Sequence, residues 1–170
     1  DDRFERSAGA KRDHGAAGGL RLERRDAEVF FLRVHERAAA RVELREFGLR
    51  EALASAVRRS GSPAKLEAAA IGRYSEDVEA AVYFCCVEGL QNVDKHAGSG
   101  ATAVIRLREH DRRLDFEIAD DGVGFEVESP RNAGQGLAHM SDRIAALEGT
   151  LMVESTPGRG TTVRANIPVA

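Results

Sequence analysis

Four short segments carry apolar residues at every second position, and they come as two pairs, each joined by a short polar link. In 102–108, Ala103, Ile105 and Leu107 alternate with Val104, Arg106 and Arg108. In 114–119, Leu114, Phe116 and Ile118 alternate with Asp115 and Glu117. A period of two is the signature of a strand with one buried face, and the link His110-Asp111-Arg112-Arg113 makes the pair a hairpin. A second hairpin closes the chain. Its strands are 151–154 and 161–167, its turn is Thr156-Pro157-Gly158-Arg159-Gly160, and Pro168 stops the last strand.

Helical spacing surrounds these hairpins. Leu49, Leu53 and Val57 lie four apart, and the run stops at Ser60-Gly61-Ser62-Pro63. A strand fits over 64–70. Ser75 can cap a helix whose first turn holds Glu76 and Asp77, where the helix dipole favours carboxylates. That helix is expected to run to about His96, with Gly98 ending it. Leu137, Met140, Ile144 and Leu147 mark another helix, ended by Gly149. Strands that come as hairpins, interspersed with helices, predict an α+β fold: a two-layer sandwich of a mixed, mostly antiparallel sheet covered on one face by helices.

Upstream of residue 48 the pattern weakens. Residues 1–26 are rich in Gly, Ala, Arg and Asp, with few large apolar side chains, and read as a linker or frayed terminus. Residues 27–47 fit either a helix or two short strands, since Val42 and Leu44 alternate with Arg41, Glu43 and Arg45. The expected division is 1–47 as a linker or remnant of an upstream region and 48–170 as the folded domain.

Charge narrows the function classes. The 170 residues hold 25 basic against 28 acidic side chains, a formal charge of −3. That balance argues against bulk nucleic-acid binding or polybasic membrane contact. No apolar run approaches the roughly 20 residues of a membrane-spanning helix, and a cytoplasmic location is expected for this segment, with membrane anchoring of the full-length protein left open. Cys85 and Cys86 sit inside an apolar run and read as small buried residues.

Three stretches carry chemistry. On the helix 76–96, positions 88, 92 and 95 or 96 share a face, which therefore presents Glu88, Asn92, Lys95 and His96. Such a stripe is ordinarily a solvated helix face. The strand ending at Asp120 runs directly into Asp121-Gly122-Val123-Gly124. Asp120 could accept a hydrogen bond from an exocyclic amine, and the glycines admit a close backbone approach; a tight Asp-Gly turn explains the same residues. Gly134 and Gly136 precede a helix, where free N–H groups and the dipole suit phosphate. The turn 157–162 alone is an ordinary hairpin turn.

In order and spacing, these four stretches together resemble the nucleotide-binding boxes of the GHKL ATPases, a superfamily of gyrase-type, mismatch-repair and chaperone ATPases and histidine kinases. Residues 88–97 (EGLQNVDKHA) resemble the first box of nitrate-sensor-type histidine kinases, and the stretches GLAHMSDRIAALEG and STPGRGTTVRANIP are similar to the same group. The resemblance covers about 48–170 and implies a Bergerat-type sandwich, with ATP and Mg²⁺ as cofactors. By it, Asn92 would hold Mg²⁺, and Lys95 and His96 would sit near the phosphates. Asp120 would bind the adenine amino group, with Gly122 and Gly124 shaping the base pocket. Gly134, Gly136 and Leu137 would end the ATP lid and begin the phosphate-facing helix, and Thr162 would lie near the adenine end. Glu88, the general base in water-activating members, and Lys95 are the catalytic candidates.

The implied activity is transfer of the ATP γ-phosphoryl group to a histidine outside this domain, for relay to a response regulator. The implied partners are that regulator and the acceptor-helix domain of the same kinase, in a homodimer. Two features depart from the pattern. The lid, about 126–133, is short. No phosphoacceptor box of the His-Asp-x-x-x-Gln kind precedes residue 48: His14 is followed by glycine, and His35, followed by Glu36, reads as an incidental exposed histidine. The alternatives are a GHKL nucleotide-binding regulatory module, an anti-sigma-type serine kinase, or a plain ATPase.

Overall fold

The computed structural model of the chain describes residues 24–127 and 134–169. The linker reading of 1–26 therefore lies almost wholly outside the described residues, as do His14 and most of the expected lid. Two compact units are present, Asp1–His35 and Glu36–Ala170; the packing described below is that of the second. No described helix is long and apolar enough to cross a membrane.

Helix α1 runs Arg24–Arg58 and breaks at Gly48, whose backbone (φ 81°, ψ 173°) is not helical. Residues 27–47, open between helix and strands from their sequence, are thus helical. The alternation left it open because Val42 faces outward, 57 % exposed, while Ala40 and Leu44, one turn apart, are buried. After the break Leu49 and Leu53 bury against the same core, as their spacing predicts.

The remaining elements follow the expected order. They are β1 (Ala64–Ala68), α2 (Glu76–His96), β2 (Ala103–His110), β3 (Arg113–Asp120), α3 (Gln135–Ala145), β4 (Thr150–Ser155) and β5 (Thr161–Pro168). The sheet order is β1-β2-β3-β5-β4. β1 is parallel to β2, and every other neighbouring pair is antiparallel. The expected cap of α2 forms: Ser75 Oγ accepts from the Val78 N–H at 3.4 Å. At the other end Ala97 closes the helix on the Val93 carbonyl and Gly98 turns the chain away at φ 91°.

The helices line one face of the sheet, α2 on β2 and β3, α3 on β4 and β5. Ile105, Leu114, Phe116, Val163 and Ile167 meet Val82, Cys85, Cys86, Leu90 and Val93 of α2 and Leu137, Met140 and Ile144 of α3. Each fully buried large apolar side chain contributes about 1.5–3 kcal/mol. Both cysteines are free thiols with no solvent exposure, and burial pushes the Cys85 thiol up to about 11. Phe84 ties the helix layer together, with the Arg37 and Arg143 guanidiniums 5.7 and 5.4 Å from its ring centre.

The other face carries alternating charges that pair across all five strands. Lys65 meets Glu67 at 2.7 Å, and Glu67 meets Arg106 at 2.9 Å. Arg106 also pairs with Glu117, which takes Arg164 at 2.7 Å, and Arg164 reaches Glu154 at 2.6 Å. Burial alone would raise the Glu117 carboxyl, but Arg164 and Arg106 together hold it below its usual value.

Candidate functional site

The second half of α2 supplies the first group. Gly89, Leu90 and Val93 turn toward the core, and Gly89 lies so close to β3 that an added Cβ would stand 3.0 Å from the Ile118 side chain. The opposite stripe is left for polar residues. Glu88 and Asn92 are half-buried, and Lys95 and His96 are exposed in the last turn. Glu88 reaches α3: a Cβ on Gly136 would meet its Oε1 at 2.6 Å. The candidate base and the start of the candidate phosphate helix are therefore neighbours, although 48 residues separate them in the chain.

The end of β3 supplies the second group, and it splits the acidic pair. Asp120 is in register with Ala103, which is fully buried, so Asp120 lies on the helix-covered face. Its Oδ1 accepts from the Gly122 N–H at 2.9 Å. Asp121 instead accepts from the Thr102 N–H at 2.6 Å and pins the loop to the start of β2. One carboxylate thus anchors the loop, and the other lies on the helix-covered face.

The glycines beyond β3 make room for the protein's own backbone. A Cβ on Gly122 would lie 2.5 Å from both the Cβ and the carbonyl oxygen of Ala97, where α2 ends. The Val123 N–H donates to that same carbonyl at 2.9 Å. Gly124, at φ +59°, would put a Cβ 2.2 Å from the Thr156 oxygen in the β4–β5 turn. From that turn the Gly158 N–H returns a bond to the Val123 oxygen at 2.6 Å. Gly160, at φ +76°, would place a Cβ 1.9 Å from the Asp120 carbonyl oxygen. Ser155 closes the clasp: its Oγ takes the Phe125 N–H at 2.9 Å and donates to the Gly160 oxygen at 3.0 Å. Positive φ and contacts below van der Waals distance leave glycine as the residue for these positions. Three of the four stretches picked out in the sequence are therefore locked together at one end of the sheet.

The fourth is the start of α3. Gly134 is its N-cap, at φ 106°, with no side-chain cap and open space where a Cβ would stand. No acidic residue occupies the first turn. Free N–H groups and the positive dipole end are consequently available there, and buried Leu137 roots the turn in the core.

Thr162 stands apart from the other candidates. It pairs with Ala119 and Glu154, and strand alternation puts it on the open face with Arg164. Its neighbour Thr161, not among the residues singled out by sequence, shares parity with buried Val163 and so lies on the face of Asp120; its Oγ1 is 3.1 Å from Ser155 Oγ. Counting inward from Val163 along the strand would have singled out Thr161. A concavity of about 660 Å³ on the open face, lined by Glu67, Arg106, Arg108, Glu117, Met152 and Asn166 among others, contains none of the candidate residues.

The fold is an α+β sandwich with a glycine-clasped carboxylate at one sheet end and a helix, α3, whose start has no side-chain cap. Residues 77–170 match the family described as histidine kinase-, DNA gyrase B-, and HSP90-like ATPase. The chain belongs to that family. It is 33 % identical over 97 residues to the signal transduction histidine-protein kinase/phosphatase DegS of Brevibacillus brevis, covering 57 % of this chain and 25 % of that protein. It is 37 % identical over 94 residues to the histidine-protein kinase/phosphatase UhpB of Salmonella typhimurium, covering 55 % of this chain and 18 % of that one. The chain thus spans a quarter or less of these two relatives. Among solved structures, a blue-light activated histidine kinase of Erythrobacter litoralis shares the fold, with a TM-score of 0.68 and 19 % identity over 83 % of this chain and 50 % of the other.

Proposed function

We propose that residues 48–170 are the ATP-binding catalytic domain of a two-component sensor histidine kinase. The reaction is transfer of the γ-phosphoryl group of ATP to a histidine outside this domain. The observation that carries the reading is the meeting of Glu88 with Gly136. It brings the polar stripe of α2 to the uncapped start of α3, while Gly89, next to Glu88, packs on Ile118, two residues before Asp120 on β3.

Each residue has a role in that reading. Asp120 accepts from the adenine amino group, and Thr161 stands on the same face. Gly122, Gly124 and Gly160 hold the Asp120 loop in place. The N–H groups after Gly134 and Gly136 receive phosphate oxygens, with Lys95 and His96 adding positive charge. The donor set fits Mg²⁺: the amide oxygen of half-buried Asn92 is a hard ligand, one turn beyond Glu88. When bound, Mg²⁺ neutralises phosphate charge. Phosphoryl transfer depends mainly on such positioning and neutralisation. Glu88 orients or accepts a proton at the phosphate end. The partners in this reading are an acceptor-helix domain, a second copy of the kinase and a response regulator, in the cytoplasm.

The test is incubation of the chain with γ-labelled ATP and a separate acceptor-helix fragment from the longer kinase, followed by acid and alkali treatment. Acid-labile, alkali-stable label on the fragment is expected. Acid-stable label on a serine would favour the anti-sigma-type reading, and steady phosphate release with no labelled protein would favour a plain ATPase.

A further inference from the structure

Glu79 is the one buried charged residue among those described, with a side chain 3 % exposed, and it lies in the first turn of α2, at the end far from the nucleotide residues. Its carboxylate is fully engaged. Oε1 accepts from Arg73 Nε at 2.8 Å and from the Tyr74 N–H at 3.2 Å, and Oε2 faces Arg73 Nη2 at 3.4 Å. The same Nη2 donates to the carbonyl oxygens of Leu44 and Arg45 at 3.0 and 3.2 Å. Those carbonyls belong to the last turn of α1 before its break, where intrahelical partners run out. Gly48 itself lies under the arginine: a Cβ there would stand 3.1 Å from Arg73 Cδ, at a φ of +81° that resists any side chain. Two exposed contacts repeat the link, Arg41 and Arg45 each reaching Glu76 of α2 at 3.4 Å.

We propose that Arg73 and Glu79 are positioning residues that set the angle at which the helical segment 36–47 joins the rest of its own compact unit, the nucleotide-binding core. Apolar packing of Ala40 and Leu44 already holds that helix down, but the hydrophobic effect has no direction. A guanidinium fork does, because its donors lie in a plane and meet only suitably placed oxygens. A buried carboxylate is weak evidence of a stability role, since well-packed apolar residues often serve as well, and Arg73 is itself 57 % exposed; what the pair supplies here is geometry. α2 carries that geometry onward: Glu88 and Asn92 lie about 13 and 20 Å along the same helix from Glu79. The inference rests on the proposed function in one respect, that a phosphoryl acceptor outside the domain must be met at a defined angle.

The experiment measures the angle without nucleotide. Spin labels on Ala38→Cys and Arg108→Cys, both exposed positions, report the distance from the helix to the sheet in the 170-residue chain; Cys85 and Cys86 are buried and stay unlabelled. The parent is expected to give one narrow distribution. Arg73→Ala and Glu79→Gln should broaden it roughly twofold, Arg73→Lys should fall between, and ATP affinity should change by less than about twofold in all three. If Arg73→Ala does not fold, Arg73→Lys carries the same comparison. A lowered melting temperature with an unchanged distribution would make the pair a simple staple and overturn the proposal. Failure of the parent to bind ATP would sink the proposed function and leave the distance result standing.

Discussion

Two of the three carboxylates on strand β3, Glu117 on the open face and Asp120 on the helix-covered face, differ in the kind of surroundings they have. Glu117 is held by side chains: the long guanidinium arms of Arg106 and Arg164 reach it across the neighbouring strands. Asp120 is held through close backbone: its carboxylate takes the Gly122 N–H, and its carbonyl oxygen lies where a Cβ on Gly160 would stand 1.9 Å away, while the next residue, Asp121, anchors on the Thr102 N–H. Side-chain arms can re-form after a change, because they have rotamers to spare. Backbone in contact with backbone has no such slack. The open face is therefore expected to tolerate substitution, and the glycine clasp to refuse it.

The sharpest way to break that contrast is Gly160→Ala. A Cβ 1.9 Å from the Asp120 oxygen, at positive φ, forces the β4–β5 turn off the β3 end. The expected loss is about 4 kcal/mol in urea unfolding, at the high end for one methyl group, and ATP binding should be lost with it. A stability within about 1 kcal/mol of the parent would show that the clasp yields.

Asp120→Asn probes the same loop without touching its backbone. The amide oxygen can still take the Gly122 N–H, so folding should change little, while the acceptor-only carboxylate is gone. The expected cost is about 1.5–3 kcal/mol in ATP binding, one to two decades by calorimetry. Unchanged affinity would remove Asp120 from the adenine end.

Gly136→Ala falls between the two kinds of surroundings. Its Cβ would meet Glu88 Oε1 at 2.6 Å, but that atom is the tip of a flexible side chain and can swing away. Stability should drop by no more than about 1 kcal/mol, and ATP affinity by about tenfold as the start of α3 crowds. Glu88→Ala in the same chain should recover part of the loss if the crowding is real.

Glu117→Gln should have the smallest effect, about 1 kcal/mol or less, since the open-face pairs are partly exposed. Its signature is pH dependence. The Glu117 carboxyl is held below its usual value of 4.5, so its contribution is present above that pH and is lost as the pH falls through the lower folded value. Unfolding curves taken from pH 6 down to about 3 should be flatter for the variant than for the parent.

Much of the fold is legible in the order of residues alone. The two hairpins, the cap at Ser75, the extent of α2 and the start of α3 all follow from local periodicity and capping chemistry, which a short window of residues contains in full. Residues 27–47 resist such a reading because Val42 mimics an alternation with Leu44 although its side chain faces solvent. Thr161 and Thr162 are identical neighbours that meet opposite faces of the strand; parity with Val163 separates them, and the register of Thr162 with Ala119 bears that parity out.

The amino-acid sequence by itself determined the order of elements and the set of polar and glycine residues from which a nucleotide site can be built, since propensity, period and residue chemistry are local properties. Tertiary structure alone decided that Gly160 fits under Asp120 across 40 residues, that Asp121 anchors the loop while Asp120 faces the helices, and that Arg73 ties buried Glu79 to the carbonyls before Gly48. These are meetings of distant backbone and side chains within a few ångströms, and only the packed chain brings them together, because no local window contains both partners.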